Sequence, residues 1–270
     1  MGCSASSTKI FDINKIYLNR LYTNIKSKII LKRIFKNLKK FKSIELVKYN
    51  KKLQNLLFID IKDYKLYSKE LLYSPIEIDI IPFNNEFGNF ININNKERKY
   101  YHIFFDNIKE KEIDRNYLEK NEKVSIIKII IDYPVTSFKD LFKGCHCIKY
   151  IYFNKFLRKN IKNMSGMFSD CDSLKEINIR NFNTENVKDI SKIFYYCVSL
   201  EKIHFSYFIL TNAVNMSYMF YYWKSLKELK FSNFIINNDA YMEGIFSGCS
   251  DELKKKIKAQ MGNISDIGFK

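Results

Sequence analysis

From Phe142 onward a phenylalanine returns every 26 positions, at Phe168, Phe194, Phe220 and Phe246. The same interval separates Cys145, Cys171, Cys197, Trp223 and Cys249, and again Leu141, Met167, Ile193, Met219 and Ile245. Further columns keep step: Ile148, Leu174, Leu200 and Leu226; Ile151, Ile177, Ile203 and Leu229; Phe153, Ile179, Phe205 and Phe231; Phe156, Phe182, Phe208 and Phe234. Chance does not hold so many apolar positions in register, so one supersecondary unit is being repeated. A unit this short cannot bury its own apolar face, and its neighbours must cover it.

Within a unit, Leu174-x-x-Ile177-x-Ile179-x-x-Phe182 contains the alternation of a short strand with one face inward. Ahead of it, Asn163–Phe168 reads as a helical turn, with Asn163, Asp189 and Asn215 placed to accept a bond from an early backbone N–H. Asn163–Val187 (NMSGMFSDCDSLKEINIRNFNTENV) and Asn215–Phe234 (NMSYMFYYWKSLKELKFSNF) resemble BspA-like leucine-rich repeats, and the likeness spans roughly residues 137–250. That resemblance implies a surface or interaction protein, some of the family being adhesins. The chain departs from the secreted members in having no apolar signal segment at its start. The expected fold is an α/β leucine-rich-repeat solenoid with parallel strands over 124–250, preceded by a mainly helical N-terminal region. Trp223 in a cysteine column predicts local repacking.

The strand-side residues Lys175, Asn178, Lys202, His204, Lys227 and Lys230 alternate with core positions and are expected to face outward, as a surface for a protein partner of acidic character. Residues 124–131 read as a degenerate first strand. Residues 251–270 read as a capping helix and tail, with Leu253, Ile257 and Met261 on one face. Between them and the N-terminus, 61–123 carries mixed signals and is assigned as an α+β bridge or cap.

Charge is unevenly spread. The net charge is +17, and residues 1–60 supply +11 of it, from 14 Lys/Arg against 3 Asp/Glu. Met1-Gly2-Cys3-Ser4-Ala5-Ser6 matches the N-myristoylation pattern, because only glycine leaves room around the acylated amine; Cys3 beside it is placed for S-palmitoylation. One myristoyl chain holds only marginally, so a second chain or a basic patch is needed. Residues 1–22 are therefore expected to be an acylated flexible tail, and 23–60 a basic amphipathic helical region. The expected location is the cytoplasmic face of a membrane, through a lipid anchor. Residues 31–57 also resemble an F-box, through Ile34-Phe35 but without the usual Leu-Pro opening. That resemblance implies a ubiquitin-ligase adaptor as the alternative function, with a surface adhesin as another.

Nothing points to catalysis. There is no phosphate-binding glycine loop, dinucleotide fingerprint or nucleophile elbow, and no cofactor is implied. Cys145-His146-Cys147 is the sole Cys/His cluster and lacks the second ligand pair of a zinc site. His102, His146 and His204 lie in no nucleophile motif, and Asp170 and Asp172 fall in loops. The aromatics lie in inward columns, so nucleic acid ranks below an anionic membrane as the use of the charge. No run of 18 apolar residues occurs, so no membrane-spanning helix is expected.

Overall fold

A computed structural model describes residues 44, 50–106, 108, 111–180, 182–204, 208–226, 234–237 and 239–261. The chain divides into two compact units, Met1–Leu71 and Leu72–Lys270. Gly2, Cys3, Ile34, Phe35, Lys227 and Lys230 lie outside the described residues, as does most of the 23–60 region.

Within the first unit, α1 runs Lys51–Leu56, capped by the Asn50 carboxamide, whose Oδ1 accepts from Leu53 N–H at 3.0 Å. Phe58 takes a left-handed conformation (φ 55°) that ends this helix. A second helix, α2 (Ile61–Tyr73), begins at Asp60, whose Oδ1 accepts from Lys62 and Asp63 N–H at 2.8 and 3.0 Å. Asp63 returns the favour by accepting from Asp60 N–H at 3.1 Å, a reciprocal cap. Pro75 lacks the N–H to continue the helix, which stops two residues before it.

The second unit is built on a mixed six-stranded sheet: β1 (Ile76–Pro82), β3 (Tyr101–Phe105), β5 (Ile127–Ile131), β6 (Ile148–Lys155), β7 (Glu176–Asn178) and β8 (Lys202–His204), in the order β3-β5-β1-β6-β7-β8. Only β6, β7 and β8 run parallel; β3, β5, β1 and β6 pair antiparallel. This overturns the expected leucine-rich-repeat solenoid of parallel strands. The 26-residue units contribute the eight-residue β6 and then strands of three residues, with no helix among their described residues, and half of the sheet comes from residues upstream of them. The physical reason lies in those upstream segments. Ile76, Ile78 and Ile80 alternate with polar or half-buried neighbours, as do Ile127, Ile129 and Ile131, and all six are fully buried. Such alternation makes one-sided antiparallel strands that cover the open side of β6. The segment expected as a degenerate first repeat strand thus lies two strands away from β6, with Ile129 opposite Ile78 and Ile103. After α2, residues 61–123, assigned as an α+β bridge or cap, hold β1, β3 and the small pair β2 (Gly88–Asn89) and β4 (Tyr117–Leu118), so the region ahead of the repeats is not mainly helical over this stretch.

Beyond the sheet, turns stack on turns. Phe142 N–H donates to Met167 O, Phe168 to Ile193, Phe194 to Met219 and Phe220 to Ile245, at 2.8–3.1 Å, so each unit satisfies its backbone on the next. The segment 163–168 is a run of turns and not the helical turn expected. Asn163 Oδ1 accepts from Ser165 N–H and Oγ–H at 2.8 and 2.7 Å; Asp189 with Ser191 and Asn215 with Ser217 repeat the pattern. Two columns of residues are left-handed. One is Asp140, Gly166, Lys192, Tyr218 and Gly244; the other is Gly144, Asp170, Tyr196, Tyr222 and Gly248. The core column Phe142–Phe168–Phe194–Phe220–Phe246 stacks ring on ring, with centroids 5.3–6.0 Å apart. Short strands β9 (Phe208–Leu210) and β10 (Phe234–Ile236) pair in parallel, and α3 (Asp251–Met261) follows with Leu253 and Ile257 buried.

Candidate functional site

Burial alternates along the strands of the large sheet except at the start of β6, where a register shift leaves Lys149 and Tyr150 both half-buried, so one face is core and the other is half-exposed. On the outer face the register aligns residues into rows. Phe104, Lys128, Asp79, Tyr152, Asn178 and His204 form one row across all six strands; Ile81, Tyr150, Glu176 and Lys202 form a second. The face is thus aromatic at β6 and charged at β7 and β8.

Four of the six candidate surface residues are described, and all four are on this side. Lys175 and Lys202 line a shallow depression of about 250 Å³ with Lys149, Tyr150, Glu176 and Glu201. Asn178 and His204 are cross-strand partners. The charge is less one-sided than the lysines implied. Lys175 Nζ meets Glu201 at 3.3 Å, and His204 lies 3.2 Å from Glu176 and 3.3 Å from the Arg180 guanidinium. Carboxylates one unit away offset part of the basic character, a pairing that becomes visible only once strands are placed side by side.

The cysteine column has a chemical meaning that its spacing alone did not disclose. Cys171 Sγ donates to Phe142 O at 2.9 Å, Cys197 to Phe168 O at 3.0 Å and Cys249 to Phe220 O at 3.1 Å. Trp223, in the same column, donates its indole N–H to Phe194 O at 3.0 Å, while Cys145 at the head of the column lies 4.0 Å from Lys143 O instead. The column therefore selects a buried donor 29 residues after a carbonyl, and tryptophan supplies one as cysteine does. Burial pushes the Cys145 and Cys197 thiols well above their ordinary range, Cys147 to about 12 and Cys249 to about 11. Thiols held protonated are poor nucleophiles and poor ligands. Cys145 and Cys147 are buried while His146 is exposed and turned to Asp172 at 2.6 Å, so the Cys-His-Cys run does not converge. Among the described residues no group of three or more His, Cys, Asp or Glu is arranged to hold a metal ion.

Sequence reasoning missed a polar clamp at the sheet edge. His102 on β3 points Nδ1 at Glu112 (3.2 Å) and Nε2 at Asp132 (3.1 Å). The Asp132 hydrogen bond is the larger cause of a raised imidazole pKa, with Glu112 adding to it against partial burial. Beneath it Arg158 is fully buried, donates from Nη1 to Asp132 O at 2.6 Å, and is lowered by desolvation to about 10. A histidine whose folded pKa exceeds its usual 6.5 stabilises the fold fully below that value, and the contribution fades as pH rises through the folded pKa. We expect the gap in unfolding midpoint between the native chain and His102→Gln to be widest below about pH 6.5 and to shrink as pH rises through the raised folded-state pKa. A gap that widened over that range would show that the neutral imidazole is the stabilising form.

One family model, described as a Mycoplasma protein of unknown function, DUF285, matches residues 136–259. The match takes in the stacked turns and most of α3 and leaves out β1, β3 and β5, so the antiparallel half of the sheet lies outside the region of likeness. No curated protein and no solved structure matches the chain.

Proposed function

We propose that this chain is a membrane-tethered, non-enzymatic scaffold that binds another protein through the outer face of its large sheet. The observation that carries the reading is that face itself: six strands wide, half-exposed, with tyrosine at β6 beside paired lysines and carboxylates at β7 and β8. Tyrosines contribute large contact area at low entropic cost, and surrounding charge pairs set orientation more than affinity. Kinship of the 26-residue units with BspA-like repeats belongs to the same proposal and rests on the Asn163–Val187 and Asn215–Phe234 segments. The tether rests on Gly2, Cys3 and Ser6, reinforced by the +11 charge of residues 1–60.

Metabolic labelling with clickable myristate and palmitate, followed by membrane fractionation, tests the tether. The native chain should take both labels and sediment with membranes; Gly2→Ala should lose the myristate label and shift to the supernatant, and Cys3→Ser should lose the palmitate label. A photo-crosslinking residue at position 178 should then capture a protein in the membrane fraction. An unlabelled native chain that stays in the supernatant removes the tether, and a position 178 that crosslinks to nothing removes the binding face.

A further inference from the structure

Phe58 and Ile61 have the most exposed large apolar side chains among the described residues, at 81% and 69%, and Leu66 follows close by in sequence at 56%. Each exposed apolar group forgoes the gain of burial, so three within nine residues call for a use. Helix α2 orders two of them. Over its first nine residues, at about 100° per residue, Ile61, Lys65, Lys69, Lys62 and Leu66 follow one another around an arc of about 140°. All five are exposed. Tyr73, at the end of the helix, falls on the same arc and packs its ring 4.4 Å from that of Tyr133. The half-buried acids of the helix, Asp63 and Glu70, fall beyond the Leu66 edge of that arc, and the exposed Asp60 is engaged in the helix cap.

We infer that this arc of α2 is a second membrane contact, its central Lys62, Lys65 and Lys69 facing the phosphates of an anionic lipid surface and Ile61 and Leu66 flanking them at the headgroup boundary. The inference rests on the tethered reading above and adds a contact that needs no acyl chain. A protein partner fits the arc poorly. A stable protein interface asks for roughly 800 Å² per side around a charge-depleted centre, whereas three lysines occupy the middle of this arc. A bilayer accepts that order, because lysine stems lie along the apolar boundary while their ammonium groups reach anionic headgroups. Charge complementarity extends beyond the helix: Lys51 and Lys52 of α1 are exposed, and the 60 residues before α2 carry a net +11.

The test uses the full chain expressed without an N-myristoylating enzyme, so lipidation and the α2 contact succeed or fail separately. Vesicles of phosphatidylcholine alone, or with phosphatidylserine, serve as the probe. We expect binding to the phosphatidylserine vesicles only, weakened about tenfold in the double variant Ile61→Gln/Leu66→Gln. Because both side chains are exposed, folding should be retained. Leu66→Trp provides a second readout: its emission should shift to the blue on phosphatidylserine vesicles, measured against the native chain, whose Trp223 is buried. Equal binding by the double variant, or an unmoved Leu66→Trp emission, would leave the basic tail as the sole contact and overturn the proposal. A blue shift that rises with protein concentration and needs no vesicles would assign the arc to a second copy of the chain, and overturn it too.

Discussion

Phe194→Ala lowers the stability of the second unit by about 3–5 kcal/mol, the cost of emptying a phenylalanine-sized space in a close-packed core. The ring is fully buried between Phe168 at 5.4 Å and Phe220 at 6.0 Å, near parallel to both, and Trp223 closes its side at 5.5 Å. The Phe194 N–H bond to Met219 O and the side-chain bond from the Trp223 indole N–H to Phe194 O hold the turn in place, so it cannot readily collapse into the cavity. Denaturant unfolding followed by Trp223 emission reads the change locally, and circular dichroism reads it globally. Separation of the two transitions would mean that stacked units have come uncoupled, as nearest-neighbour stability allows. A loss under about 1 kcal/mol by both probes would contradict a continuous ring column at this position.

Gly248→Ala should cost about 2–4 kcal/mol, from a left-handed backbone that disfavours any Cβ and from a collision. At φ 73° an added Cβ would sit 2.4 Å from Tyr222 Cδ2 and 3.3 Å from Tyr222 Cα. The ring could swing, but the backbone atom behind it could not follow cheaply. Gly144 provides the control, with a similar φ of 66° and nothing nearer to its Cβ position than His146 Nε2 at 3.9 Å. Gly144→Ala should therefore cost only the conformational part, about 1–2 kcal/mol. The excess at Gly248 measures the Tyr222 contact, and a double-mutant cycle with Tyr222→Ala should recover most of it. Equal losses at the two glycines would show that the tyrosine yields freely.

The left-handed columns explain why tyrosines sit where other units place glycine or aspartate. Tyr196 stacks on Tyr222 at 4.9 Å, and the Tyr218 and Tyr222 rings lie over Gly244 and Gly248 of the following unit. Side chains at these positions lean along the stack, so contact with the next unit offsets strain in their own backbone. None of this was legible as a pattern, because Asp, Gly, Lys and Tyr share no hydropathy and the columns vanish in any apolar count. The histidine pairs were hidden for a related reason. His102 meets Asp132 and His146 meets Asp172 only after strands or units lie side by side.

The sequence by itself determined which residues face inward. A period of 26 with apolar columns dictates stacking, since burial is nearly non-directional and depends on spacing alone. Phe142, Cys171, Leu174, Ile177 and their described equivalents are buried accordingly, apart from the half-buried Leu226. The segment 124–131, read as a strand, contains β5 at Ile127–Ile131. Strand direction was another matter. A one-sided strand presents the same alternation to a parallel or an antiparallel neighbour, and the choice rests on backbone hydrogen bonds that carry no side-chain signature. Only the tertiary structure decided that β3, β5, β1 and β6 pair antiparallel in turn, making a mixed sheet of what spacing alone presented as one continuous parallel array.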